Sequence, residues 1–255
     1  MKICNWLIGI KMIDCEKCTD DNKCILHCEK DTWFDLIDGK KDWTKSEENI
    51  RYFWSEIRKY ISDTLKSNEY KSEPDYISLT NVIFPKFEKA YADIYEEESY
   101  DRCSSWYDNF CDEVIINSEF PSSDLKNIYG FNFSNSIFLD VADFTDYQFD
   151  NLLFRNVIFT EECKFSNTKI NSIFFKETIF HKSTLFENST INFHSYQSKD
   201  FENCEFHDKL IFDNIIFNEN KSKTLDLDFK NTKFKELNIS NTTFEKGFRF
   251  YKESN

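Results

Sequence analysis

Glycine and proline are nearly missing from this sequence. The 255 residues include 4 Gly and 3 Pro, against roughly 7% and 5% in ordinary domains. The four glycines (Gly9, Gly39, Gly130, Gly247) stand far apart, so no G-x-G-x-x-G, G-x-x-x-x-G-K-[ST] or G-x-S-x-G can be written from them. Dinucleotide folds, P-loop NTPases and α/β-hydrolases are therefore poor readings, because each needs glycine at a strained turn or beside a phosphate. Long apolar runs are missing too. None approaches the ~20 residues of a membrane-spanning helix, so no membrane association is expected. The short apolar stretch from Trp6 to Ile10 is bracketed by Asn5 and Lys11 and lacks a small-residue cleavage site, so no signal peptide is expected. Positive charge is in deficit, with 32 Lys and Arg against 46 Asp and Glu and a net charge of -14. That balance disfavours direct binding to nucleic acid, which needs clustered Lys and Arg. The deficit is uneven: 17 against 27 in residues 1–130, and 15 against 19 in residues 131–255.

What is abundant is phenylalanine, 28 residues of it. With 40% apolar residues the chain is globular despite a mean hydropathy of -0.61. Large apolar residues recur every five positions, a period that neither a helix nor a single strand produces. The runs are Phe144, Phe149, Phe154, Phe159; then Phe165, Ile170, Phe175, Phe180; then Phe186, Ile191, Tyr196, Phe201, Phe206. Steps of six separate Phe138 from Phe144, Phe159 from Phe165, and Phe180 from Phe186, which gives coils of 21 residues. Reading down the coils yields four columns and hence four sides. They are Ile128, Phe149, Ile170, Ile191, Phe212, Phe234; Phe133, Phe154, Phe175, Tyr196, Phe217, Ile239; Phe138, Phe159, Phe180, Phe201, a gap, Phe244; and Phe144, Phe165, Phe186, Phe206, Phe229, Phe250. Phe144, Phe149, Phe154, Phe159, Phe165, Phe175, Phe180 and Phe186 are the expected core.

Two flanking positions support the columns. Two residues before each centre the side chain is small, as at Ser136, Ala142, Cys163, Thr168, Thr178, Thr184, Ser189 and Cys204. A second inward position must be small beside a phenyl ring, since packing density is fixed. Three residues before the centre stands Asn, at 135, 151, 156, 167, 188, 203, 214, 231 and 241. This is the expected corner, where Asn accepts a positive φ and so replaces glycine.

The F-x-x-x-x-F spacing with small residues two before each centre resembles the pentapeptide-repeat family in its Phe-rich form. The resemblance covers Tyr129 to Phe250. It implies a mainly β fold, a right-handed quadrilateral parallel β-helix (a solenoid), over residues 126–255. Phe110, Ile115, Phe120 and Leu125 keep the spacing further back, and Leu79 with Phe84 reads as an isolated early rung. Residues 73–125 read as a transition region with early repeats and a helical insertion near Lys86–Glu98. The segments Asn218–Thr224 and Ser195–Asp200 are expected to leave the repeat, the second without disturbing the count.

Residues 1–72 read as a small helical, zinc-binding region. Five of the nine cysteines fall within Cys4–Cys28. Cys15-x2-Cys18 followed by Cys24-x2-His27 has the spacing of one tetrahedral structural Zn2+, with Cys28 as an alternative fourth ligand. The segment also resembles a knuckle found ahead of pentapeptide repeats in some bacterial proteins. Clustered thiols of this kind suit a reducing, cytoplasmic setting better than a disulfide framework. From Thr44 to about Asn68, Ile50, Phe53, Trp54, Ile57, Ile61 and Leu65 make one apolar helical face behind a Thr44-x-x-Glu47 capping box, and that face is expected to cap the solenoid or pack on the knuckle.

No catalytic residues are assigned. His181 and His207 each follow a centre residue and are expected on an outer face; His194 lies near the 195–200 segment, and none sits in a nucleophile–base pattern. A core of stacked rings leaves no cleft, so the chain reads as a non-enzymatic scaffold for a protein partner. The resemblance also implies an alternative, a DNA-mimicking modulator or protector of a type II topoisomerase, which lysines such as Lys164, Lys176 and Lys233 weaken by interrupting the acidic pattern.

Overall fold

The computed structural model describes residues 24–68, 76–87, 130–145, 148–193, 200–217, 227–244 and 246–252. The protein is mainly β, with short parallel strands stacked in two nine-stranded ladders and a single α-helix among the described residues. This arrangement is compatible with a β-helix. Strands such as Gln148–Arg155 and Lys169–Lys176 run in register across successive coils, with Phe149 against Ile170 and Phe154 against Phe175.

Inside, phenyl rings stack face to face. Their centroids lie 4.5–5.5 Å apart and their planes within 14° of parallel, as in Phe138/Phe159, Phe159/Phe180, Phe144/Phe165, Phe165/Phe186 and Phe206/Phe234. The backbone repeat between paired strands, about 4.8 Å, dictates that spacing. Phe144, Phe149, Phe154, Phe159, Phe165, Phe175, Phe180 and Phe186 are all buried. So are the small residues beside them from Ser136 to Cys204, and three of their hydroxyls turn back on the backbone: Ser189 Oγ donates to Phe165 O at 2.9 Å, Ser136 Oγ to Leu79 O at 2.9 Å, and Thr178 Oγ1 to Phe154 O at 3.2 Å.

The columns differ from the periodic reading beyond Ile191. Phe175 pairs with Phe201, Phe180 with Phe206, Phe186 with Phe212 and Ile191 with Phe217, offsets of 26 residues where 21 was expected. The next coil is longer still. Phe201 pairs with Phe229 and Phe206 with Phe234, a 28-residue offset that falls to 27 after a bulge between Phe206 and Lys209. Phe229 then pairs with Phe250, back at 21. The columns are therefore Phe149, Ile170, Ile191, Phe217, Phe244; Phe133, Phe154, Phe175, Phe201, Phe229, Phe250; Phe84, Phe138, Phe159, Phe180, Phe206, Phe234; and Phe144, Phe165, Phe186, Phe212, Ile239. The third column has no gap. Five extra residues between Ile191 and Phe201 are in phase with a pentad, so counting passes over them. Tyr196 lies outside the described residues.

One prediction follows from this register. Deleting Ser195–Lys199 restores a 21-residue offset and should shift the melting temperature by no more than ~3 °C, on the order of 1 kcal/mol for a chain of this size. A much larger drop would mean that Tyr196 is a column residue after all.

The corners are of two kinds. Asn81, Asn135, Asn156, Glu177, Asn203 and Asn231 form one line of positive-φ residues, and Asn167, Asn188, Asn214 and Asn241 form another. Asn151 does not belong to either. It lies within the extended strand Gln148–Arg155, opposite Ser172, so that side of the coil bends without a left-handed residue. Along the two lines the amides bridge from coil to coil: Asn156 Nδ2 donates to Asn135 Oδ1 at 3.0 Å, Asn214 to Asn188 at 2.8 Å, and Asn231 to Asn203 at 3.1 Å. Glu177, at φ 54, interrupts the first line. A non-glycine residue held there costs ~1–2 kcal/mol, less for Asn. Glu177→Asn should therefore raise the melting temperature by about 2–4 °C, measured by calorimetry; an unchanged or lower value would refute the account of the corner.

The early rung is not isolated. Tyr76–Ser78 pairs with Gly130–Asn132, Ile83 pairs with Ile137, and Phe84 stacks on Phe138 at 4.5 Å. Residues 88–129 are thus inserted between the first two rungs. The expected helix over Lys86–Glu98 and the early repeats Phe110, Ile115, Phe120, Leu125 and Ile128 lie in that span or across its edge, outside the described residues apart from Lys86 and Phe87, which are not helical.

Ahead of the first rung, Asp35–Ile37 and Lys40–Asp42 form a hairpin closed by Asp38-Gly39, both at positive φ as a two-residue turn requires. A single 3-10 turn, Thr44–Ser46, leads into α1 (Glu47–Asn68). The expected capping box is absent. Thr44 caps nothing; its N–H and Oγ1 instead both donate to Asp42 Oδ1, at 3.0 and 2.6 Å, and these bonds hold the Asp42 carboxyl below its usual pKa. Glu47 faces solvent beside Arg51. Helix α1 buries Ile50, Phe53, Trp54, Ile57 and Ile61, with Phe53 and Trp54 lying over Phe84 at 5.9 and 6.0 Å, so the apolar face covers the first rung. The Leu65 side chain is outside the description.

Candidate functional site

The N-terminal candidate begins with a tight turn. The N–H groups of His27 and Cys28 both bond to Cys24 O, at 3.0 and 2.9 Å. That turn brings Cys24 Sγ to 2.7 Å from His27 Nδ1. A thiol and an imidazole converging across x2 are the donor types zinc takes, so these two residues fit half of a tetrahedral site. Cys28 is turned elsewhere, with its Sγ against Ile25 O at 3.5 Å and Lys30 Nζ at 3.9 Å. Cys15 and Cys18 lie outside the described residues. Among the described residues no three metal-ligating side chains converge.

Lys30 is the residue that spacing did not single out. It is 1% exposed. Its ammonium donates to Ile25 O at 2.9 Å and Cys28 O at 3.2 Å, and it lies over the rings of Trp33 and Phe53 at 5.1 and 5.0 Å. Burial lowers its pKa to about 8, against the opposing pull of Cys28 and Cys24. Ion–ring attraction of this kind strengthens as water is removed. The lysine thereby ties the Cys24–Cys28 turn to α1. The only sequence signal was its place in a stretch dense in Cys and Trp.

Along the coils, the remaining thiols among the described residues are packing groups. Cys163 and Cys204 are buried, and desolvation pushes the first well above its ordinary value and the second to about 12. Neither is a nucleophile, since the thiolate is the reactive form.

The outer faces carry charges matched between coils. Glu202 lies between Lys230 at 3.0 Å and Lys176 at 3.6 Å; burial works to raise its pKa, but the two lysines together hold it low. Lys233 pairs with Glu205 at 2.6 Å, Lys235 with Asp208 at 3.2 Å and Lys209 with Glu236 at 3.5 Å. The Asp208 carboxyl is held low by Ser183, then by Lys235. His181 and His207 are exposed on this surface and touch each other; His194 lies outside the described residues. Among the described residues no helix is long and apolar enough to cross a membrane. No protein-family model, no curated protein and no solved structure matches the chain.

Proposed function

We propose that the chain is a pentapeptide-repeat protein, a right-handed quadrilateral parallel β-helix that acts as a non-enzymatic scaffold for a protein partner. The observation that carries this reading is the filled interior. Four columns of phenyl rings and isoleucines occupy the space a substrate would need, so recognition falls to the outward side chains, which the ladders hold in fixed rows. Rigid rows suit a protein partner because little side-chain ordering is left to be done on binding. DNA mimicry of a topoisomerase substrate needs an unbroken acidic face, and the cross-coil lysines at 176, 230, 233 and 235 weigh against one.

The reading extends to the cap. Cys24 and His27, with Cys15 and Cys18, would hold a structural zinc that fastens the knuckle; Cys28 is the less favoured fourth ligand because it faces Lys30. Four buried free thiols, Cys24, Cys28, Cys163 and Cys204, suit a reducing compartment such as the cytoplasm.

Photo-crosslinking groups placed singly at the exposed positions Arg155, Lys169 and Lys209, which lie beside three different columns, test the scaffold. A partner captured from one face and not the others is the expected result; equal labelling from every face, or none, would overturn it. The protein should leave topoisomerase supercoiling unchanged at micromolar concentration, and inhibition or protection there would replace the scaffold reading with mimicry.

A further inference from the structure

The lengthened coil places two histidines side by side. Because Phe180 pairs with Phe206, the residues that follow them, His181 and His207, occupy neighbouring rungs on the outer surface. A 21-residue coil would have set neither against the other. Their rings lie 4.9 Å apart at 67°, and Nδ1 of one is 3.1 Å from Nδ1 of the other. On the far side of the His207 ring, Nε2 is 3.3 Å from Glu205 Oε2, while Glu205 Oε1 is engaged by Lys233 at 2.6 Å.

This geometry assigns the tautomer of His207. A carboxylate only accepts, so in the neutral ring Nε2 carries the proton and Nδ1 presents its lone pair. That lone pair faces His181. Two imidazole nitrogens 3.1 Å apart, each about 2.05 Å from one ion, subtend about 98° at it, between octahedral and tetrahedral angles. A carboxylate bonded to the outer nitrogen of a ligating imidazole is the usual support of such a ligand.

We infer that His181 and His207 form a surface site for a divalent transition-metal ion, bound through both Nδ1 atoms, with water in the remaining positions and Glu205 orienting His207. Imidazole donors and open positions suit Cu2+, Ni2+ and Zn2+ in the usual order of affinity, and not Mg2+ or Ca2+. Without metal, His181 donates its Nδ1 proton to His207; on binding, that proton shifts to the Nε2 of His181.

The probe is Ni2+, which thiols do not reduce, titrated calorimetrically into the full chain. The wild type should bind one equivalent that is weakened at least tenfold in His181→Asn and His207→Asn and about tenfold in Glu205→Gln. The same equivalent should survive Cys24→Ser, which separates it from the N-terminal turn. Paramagnetic broadening of imidazole NMR signals should centre on these two rings. All three positions are at the surface, and unchanged melting curves will establish that the variants fold. An isotherm for His181→Asn identical to the wild type, or broadening confined to other residues, would overturn the site.

Discussion

Phe175→Ala is expected to lower the free energy of unfolding by about 3–5 kcal/mol. The ring is stacked between Phe154 and Phe201, both at 5.0 Å, and meets Phe165, Phe180 and Phe186 edge-on at 6.2, 5.6 and 6.3 Å. Its backbone is fixed as well, paired to Phe154 on one side and to Phe201 on the other. The space left by the ring cannot close, because the ladder sets the distance between coils; loss of a ring here therefore belongs at the high end of cavity costs. In an array whose coils contact only their neighbours, the damage should stay local. Hydrogen exchange should quicken in strands Gln148–Arg155, Lys169–Lys176 and Phe201–Glu202 before it does elsewhere. Phe250→Ala, at a ring 46% exposed, should cost less than half as much, since less area leaves water. Equal losses at the two sites would contradict the column account. If Phe175→Ala does not accumulate, Phe175→Leu should fold with a smaller deficit, since it keeps most of the volume.

The columns were legible because stacked parallel strands write their geometry into spacing. Every column position is apolar and all but one of the left-handed corners along the two lines are Asn, so the columns from Phe133 to Ile191 and most of the asparagines could be placed by counting. Counting failed where the physics is silent on it. An excursion of five residues costs loop entropy that grows only slowly with length and leaves the pentad phase untouched, so every column beyond Ile191 shifted by one side. Asn151 misled for the opposite reason: composition marks a residue able to turn, but ladder pairing keeps it extended. The candidate sites were less legible still. The histidine pair depends on the 26-residue offset, and Lys30 depends on a helix packing back over the turn that precedes it. Both arise from contacts between segments, which spacing within one segment does not record.

Lys30→Glu should destabilise the cap by about 3–5 kcal/mol, the range for a buried charge left without its partners. Each group around the ammonium would act against a carboxylate: the carbonyls of Ile25 and Cys28 are acceptors, and the faces of Trp33 and Phe53 are negative. Lys30→Met separates charge from shape. It takes the donor from two carbonyls but also removes the cost of burying an ammonium, so its effect should be much smaller. Because Phe53 touches both Lys30 and Phe84, the cap and the first rung are mechanically joined. The reversed charge should therefore expose residues 24–68 to protease and quicken exchange in Tyr76–Ser78, while the strands from Gln148 onward keep wild-type protection. Melting of Lys30→Glu at the wild-type temperature would show that the lysine holds nothing in place. Simultaneous loss of protection through the last coil would show that the cap and the coils fold as one unit, and the nearest-neighbour account would then have to be given up.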